Sequence, residues 1–280
     1  MKQGYGWLFI LLGVVMIGYF AVTGPIFQWF DGGNNKSGSQ AASLSGIDQI
    51  HVKTTSGQIQ IVTDARDELR AELKGSNTKH LSLNVDRKGS TLLVELKRKR
   101  SSWRLFSFWP FNESKLEVAI PQNYAHLLQV EATSGNITIA GTQQQPLVLN
   151  DLELRIKSGN VSLKHLQAES LNFKGTSGNV KADHVITGES EWKLSSGNMN
   201  LNEFQGPIAA QLTSGNMEMN LSKLTGPIES SITSGRAVID LPDDANFTLD
   251  AKVTSGKIRN EFPLQDAVFD NRNWQGKYGN

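Results

Sequence analysis

Thr176-Ser177-Gly178-Asn179, preceded by Leu171-Asn172-Phe173-Lys174-Gly175 and followed by Val180-Lys181-Ala182, is one copy of a motif that organises more than half of the chain. The dipeptide Ser-Gly begins at Ser134, Ser158, Ser177, Ser196, Ser214, Ser234 and Ser255, at intervals of 24, 19, 19, 18, 20 and 21 residues. The next residue is Asn136, Asn160, Asn179, Asn198 and Asn216 in five copies, then Arg236 and Lys257. An outlying copy, Thr55-Ser56-Gly57-Gln58, lies much earlier. The glycines of the series are Gly57, Gly135, Gly159, Gly178, Gly197, Gly215, Gly235 and Gly256.

The flanks share one register. Three and five positions before the glycine stand pairs such as Ala132/Val130, Ile156/Leu154 and Leu194/Trp192; two and four after it stand Ile137/Ile139, Val161/Leu163 and Met199/Leu201. Alternation with period two marks a strand with one buried face on each side of the motif. The inward positions before and after the glycine are an odd number of residues apart, so alternation cannot run straight through. The chain must turn a corner there, with glycine supplying positive φ and Ser and Asn suiting the flanking turn positions.

Such a unit cannot bury its apolar side alone, whereas stacked copies bury it against one another. The reading is an all-β chain, a β-solenoid of ~20-residue rungs with Thr-Ser-Gly-Asn corners; seven rungs at ~4.8 Å make a stack roughly 34 Å long. Equivalent asparagines would form a hydrogen-bonded ladder. The alternative is an antiparallel β-sandwich with a hairpin at each Ser-Gly-Asn.

Ahead of the repeat, Ile50/Val52 and Ile59/Ile61 flank the Gly57 corner, and Leu81–Val85 and Leu92–Leu96 flank Arg87-Lys88-Gly89-Ser90, a predicted hairpin. Residues 47–125 read as a β-rich lead-in that caps the stack, and residues 126–280 as the solenoid region.

The N-terminus differs in kind. Gly4 to Gly24 holds no charged residue and is dominated by Trp7-Leu8-Phe9-Ile10-Leu11-Leu12 and Val14-Val15-Met16-Ile17. At ~1.5 Å per residue a helix of this length covers the ~30 Å hydrocarbon core. Residues 1–30 read as a single transmembrane anchor. Lys2 before it and Asp31 after it put the N-terminus in the cytoplasm and the remainder outside. The competing reading is a cleaved signal peptide, for which the apolar run is long and Val22-Thr23-Gly24 a poor cleavage site. Residues 31–46, beginning Asp31-Gly32-Gly33-Asn34-Asn35, read as a flexible linker.

Composition narrows the function classes. The 28 Lys+Arg and 27 Asp+Glu leave a formal charge of +1, so no global field draws the chain to nucleic acid. Cysteine is absent. That excludes a disulfide scaffold, a thiolate nucleophile, a cysteine-ligated metal and an acylated-cysteine anchor. The recurring serines sit in no Gly-x-Ser-x-Gly, and equivalent serines in every rung cannot each have a base; they are turn residues. No cofactor is indicated.

His165 and His184 lie six residues after their glycines, and Glu203 takes that place in the next rung, so the three would stack on the outer surface. Two imidazoles and a carboxylate are a possible zinc set, against which stands a plain solvated corner flanked by Gly141 and Leu221. A carbohydrate-active enzyme is the reading from another class, because it needs carboxylates gathered on one side of neighbouring rungs; Asp183, Glu203 and Glu218 are its candidates.

The sharpest anomaly is the segment 97–111. Lys97, Arg98, Lys99, Arg100 and Arg104 stand beside Trp103, Phe106, Phe108, Trp109 and Phe111, with no acid among them. Cations attract anionic lipid or polymer, and Trp and Phe partition into the interface, so this loop reads as a surface-contact or partner-contact element. Its rival role is an aromatic plug on the solenoid end.

The N-terminal anchor, the β-rich lead-in and the recurrent Thr133-Ser134-Gly135-Asn136, Thr176-Ser177-Gly178-Asn179 and Thr213-Ser214-Gly215-Asn216 resemble the bacterial β-strand-repeat, adhesin-like family that includes LiaG-like membrane-anchored envelope proteins. The likeness covers roughly residues 45–275 and includes Ala251-Lys252-Val253-Thr254-Ser255-Gly256-Lys257-Ile258. It implies an extracytoplasmic, non-enzymatic binding or scaffold role at the cell envelope, adhesin-like or modulating envelope-stress sensing. Another envelope protein or a cell-wall polymer would be the partner.

Overall fold

The computed structural model describes residues 38–75, 78, 81–98, 114–270 and 272–279. The expected anchor 1–30, linker residues 31–37 and the loop residues Lys99, Arg100, Trp103, Arg104, Phe106, Phe108, Trp109 and Phe111 lie outside the described residues. The rest of the expected flexible linker, 38–46, carries the strand Ser39–Ser43, held by antiparallel pairing with Glu68–Glu72. Among those described, no helix is long and apolar enough to cross a membrane.

The described chain is all-β. Its strands are β1 (Ser39–Ser43), β2 (Gln49–Asp64), β3 (Glu68–Lys74), β4 (Leu81–Lys88), β5 (Thr91–Arg98), β6 (Lys115–Pro121), β7 (Leu127–Ala140), β8 (Leu147–Gln205), β9 (Ile208–Lys223), β10 (Ile228–Asp240), β11 (Phe247–Lys252), β12 (Gln265–Phe269) and β13 (Asn273–Tyr278). The very long β8 is one continuous ribbon carrying three corners, Gly159, Gly178 and Gly197.

Stacking is parallel and in register. Ser56 and Gly57 pair with Ser134 and Gly135, these with Ser158 and Gly159, Ser196 and Gly197 with Ser214 and Gly215, and these with Ser234 and Gly235. Hairpins at the Ser-Gly-Asn motifs would instead pair the two flanks of each corner antiparallel, so the sandwich alternative is replaced by a stack of coils. Each corner glycine has φ between 121° and 138°. That conformation would be strained for any L side chain. It is also crowded: a Cβ on Gly178 would lie 1.7 Å from the carbonyl oxygen of Gly159, and one on Gly197 1.8 Å from that of Gly178. Glycine is required twice over, by the bend and by the next coil.

From the Gly57 coil to the Gly215 coil the inward positions about the corners are buried apart from Gly175; at the Gly235 coil Ile232 is half-buried and Ala237 exposed. Ile156 and Val161 are 5% and 2% exposed, and Leu194 and Met199 4% and 1%. Phe173, Trp192 and Phe204 fill the middle of the stack, with ring centroids 5.8 Å apart for the first pair and 6.0 Å for the second.

Three departures from the sequence expectation concern the ends. The early copy at Gly57 is a full rung, seated on Gly135 across an insertion of most of the lead-in. Beyond it, β5 pairs parallel with Gln49–Thr54 and β6 with Gln58–Asp64. Together β5 and β6 make a further split rung on the Gly57 coil, one half ending at Arg98 and the other beginning at Lys115. The β4–β5 hairpin, antiparallel from Leu81↔Arg98 to Lys88↔Thr91, and the antiparallel β1–β3–β6 run complete this end. Lys74 Nζ reaches Glu117 Oε1 at 2.7 Å across β3 and β6. This bond raises the lysine pKa and lowers the carboxyl pKa from their ordinary values. The Tyr124 hydroxyl accepts from Ile50 N at 2.9 Å and donates to Leu127 O at 2.6 Å; burial pushes its pKa up.

At the other end, the copy Thr254-Ser255-Gly256-Lys257 is not a rung. Gly256 keeps a corner-like φ of 121°, yet no atom lies within 4 Å of where its Cβ would be. The chain around it belongs to a three-stranded antiparallel sheet ordered β11–β13–β12. Local sequence favours the bend, but a rung also needs a neighbouring coil to pair with. Consequently β10 is the last coil: its inward Ile239 is 38% exposed, where the equivalent Met219 is fully buried.

Candidate functional site

The regular corners convert sequence spacing into ranks of side chains along the stack. One rank is the asparagine after each glycine. Asn160 Nδ2 donates to Asn136 Oδ1 at 3.0 Å, Asn179 to Asn160 at 2.8 Å, Asn198 to Asn179 at 2.8 Å and Asn216 to Asn198 at 3.1 Å. The expected ladder is thus continuous over five coils. A partial second ladder runs four residues further on, Asn202 to Asp183 at 2.8 Å and Asn220 to Asn202 at 3.4 Å. Removing the amide at Asn179 breaks two ladder bonds on an exposed edge. Asn179→Ala is expected to cost about 1 kcal/mol, because water recovers part of each bond. A denaturant titration that shifts its midpoint at unchanged slope checks this.

The most site-like feature is a cleft of about 360 Å³ on the side that leads into the corners, lined by Lys53, Glu131, Arg155, Lys157, Lys174, Thr133 and Thr176 and floored by Thr54, Ala132, Ile156 and Gly175. Lys53, Glu131, Arg155 and Lys174 each stand four residues before a corner glycine, in four successive coils, so the stack itself builds the row. Four cations face one carboxylate. Arg155 reaches Glu131 at 3.3 Å and Glu153 at 3.3 Å, while Lys53 is 3.9 Å from Glu131 and His51 Nε2 3.5 Å from it. Lys157 and Lys174 are exposed and, among the described residues, make no salt bridge. Just past the cleft, Glu191 is held below the usual carboxylate range, chiefly by the hydrogen bond from Lys193.

His165, His184 and Glu203 do form a rank, with the two imidazole centroids 5.0 Å apart. All three take left-handed backbone, φ 47°, 54° and 50°. They make the second corner of their coils, one without glycine. No group of three His, Cys, Asp or Glu among the described residues is placed to hold a metal ion.

The carboxylates of the enzyme alternative face different partners. Asp183 accepts from Asn202 and lies 3.2 Å from His184 Nδ1, and Glu218 accepts from Asn200 at 3.1 Å. The Asn202 bond, foremost, holds the Asp183 carboxyl below its ordinary range, opposite to what a general acid needs. Of the basic-aromatic loop, Lys97 and Arg98 are described: they close the β4–β5 pairing, and Lys97 Nζ lies 2.7 Å from Glu95.

A family model described as Toastrack DUF4097 matches residues 47–280. No curated protein matches the chain. Similar solved structures include a candidate lipid-binding protein from Parabacteroides distasonis, 14% identical over 73% of this chain and 97% of that one with a TM-score of 0.40. A candidate adhesin from Bacteroides fragilis is 16% identical over 72% of this chain and 94% of that one, TM-score 0.39. A candidate cell adhesion protein from Clostridium sporogenes is 10% identical over 72% and 97%, TM-score 0.36.

Proposed function

The chain belongs to the Toastrack DUF4097 family, matched over residues 47–280, and from that premise we propose a non-enzymatic binding or scaffold protein of the bacterial cell envelope. Residues 1–30 hold it in the membrane with the N-terminus inside, and the solenoid stands outside as a rigid post. Its role is adhesin-like or, as in LiaG-like proteins, tied to envelope-stress sensing. The observation that carries the reading is the in-register stack from Gly57 to Gly235, whose outward side chains form straight ranks at one rung per strand spacing. Such ranks suit contact with an extended partner. The basic-aromatic segment adds a second contact: Lys97, Arg98, Lys99, Arg100 and Arg104 beside Trp103, Phe106, Phe108, Trp109 and Phe111 suit an anionic surface.

The test is membrane partition of the full chain in a bacterial host. The expected result is retention in the membrane pellet through alkaline carbonate washing, with the solenoid digested by protease added outside intact cells. A chain recovered in the soluble cytosol, or protected from external protease, would overturn the proposal.

A further inference from the structure

We infer that the cleft between Lys53 and Lys174 is a binding site for an anionic glycan lying along the stack axis. The inference rests on the binding role proposed above and names the ligand class for one face. Three features of the cleft select the chemistry. First, its charge is one-sided: Lys53, Arg155, Lys157 and Lys174 against Glu131. Lys53 and Arg155 are already answered by Glu131, and Arg155 by Glu153 as well, so Lys157 and Lys174, which make no salt bridge among the described residues, are the cations left for a ligand, Lys174 with Glu191 in its neighbourhood. Lysine offers a compact charge with three donors, which suits a carboxylate or phosphate without fixing its orientation.

Second, the remaining surface is that of a sugar site rather than of a peptide groove. Thr133 and Thr176 bring exposed hydroxyls, while Ala132 and Ile156 beneath them are buried, so the surface a ligand meets is hydroxyl and cation rather than apolar. The coils here are paired on both sides, β7 with β2 and β8, so there is no free strand edge for a peptide to extend. Third, neighbouring coils are ~4.8 Å apart, close to the advance of one ring in an extended polysaccharide, so cations on adjacent coils can meet anions on successive sugars. Lys157 and Lys174 belong to adjacent coils, two residues before Gly159 and four before Gly178, and so stand on neighbouring ranks rather than in one.

The experiment is a calorimetric titration of the full chain in detergent micelles with four probes: an oligogalacturonate, its neutral methyl ester, a phosphate oligomer of phosphodiester-linked sugars, and a poly-glutamate of matched charge. The variants are Lys157→Gln/Lys174→Gln and, as a control outside the cleft, Lys181→Gln. The expected result is binding of the oligogalacturonate or the phosphate oligomer, weakened at least tenfold by the double change and less than twofold by the control. Which of the two binds tells whether the recognised group is carboxylate or phosphate. No binding of either anionic oligomer, equal binding of the methyl ester or of poly-glutamate, or a double variant as tight as wild type would overturn the inference. Carbonate-resistant membrane retention and outside exposure are read separately, so a negative titration leaves the envelope placement standing.

Discussion

Gly178→Ala lowers the stability of the stack by at least about 5 kcal/mol, in the range reserved for severe core lesions. The added methyl would lie 1.7 Å from the carbonyl oxygen of Gly159 and 2.8 Å from its carbon, and both groups are backbone held by strand pairing. Neither can withdraw without breaking the coil below. To this is added strain of about 1–3 kcal/mol from forcing a non-glycine residue into φ near 130°. The control is Gly256→Ala, which shares the φ but has open space around it. That change carries the strain alone and is expected to cost about 1–3 kcal/mol. Thermal unfolding of the two variants separates the effects: at ~2–4 °C per kcal/mol for a domain of this size, Gly178→Ala drops the midpoint by roughly 10–20 °C or abolishes folding, and Gly256→Ala by a few degrees. Equal shifts for the two would show that the coils do not press on one another at the corners.

Trp192→Ala is expected to cost about 3–5 kcal/mol. Trp192 is fully buried between Phe173 and Phe204, at the point where the aliphatic ranks of the other coils give way to rings. Its loss leaves a cavity that paired backbones on both sides cannot close. The informative companion is Trp192→Phe. The indole Nε1 is buried with no hydrogen-bond partner among the described residues. Phenylalanine removes that unmet donor while keeping most of the ring, and the change should cost less than about 1.5 kcal/mol. Denaturant unfolding of both variants checks the pair; a phenylalanine variant as unstable as the alanine one would mean that the indole nitrogen has a partner.

The repeat was legible in the sequence because the corner makes a demand that few residues meet. Glycine at each bend and apolar residues at fixed offsets recur from Gly135 to Gly235, and the asparagine ladder follows from their phase. Gly256 misled because bend and flanks are local properties, whereas being a rung depends on pairing with another strand; β11 pairs with β13 instead. The corner at His165, His184 and Glu203 was legible as the plain alternative to a zinc set, but its left-handed backbone was not, since it uses no glycine.

The cleft went unread although each of its charges is visible. Lys53, Glu131, Arg155 and Lys174 become a row only after the coils are aligned, and the first two are separated in sequence by the whole lead-in. Aligning the residue four before each corner glycine, with the Gly57 copy included, was the signal that would have found it.

The most direct test of the stack uses the absence of native cysteine, which allows spin labels to be placed at will. Thr138, Asn200, Glu218 and Val238 each stand three residues after a corner glycine, and they are paired coil to coil as Asn200↔Glu218 and Glu218↔Val238. Pulsed electron-spin distances from Thr138→Cys to Asn200→Cys, Glu218→Cys and Val238→Cys should climb in equal steps of ~5 Å, from about 14 to 19 to 24 Å between backbones. Distances that fail to rise by one strand spacing per repeat, or that fall as the sequence separation grows, would contradict the stacked coils.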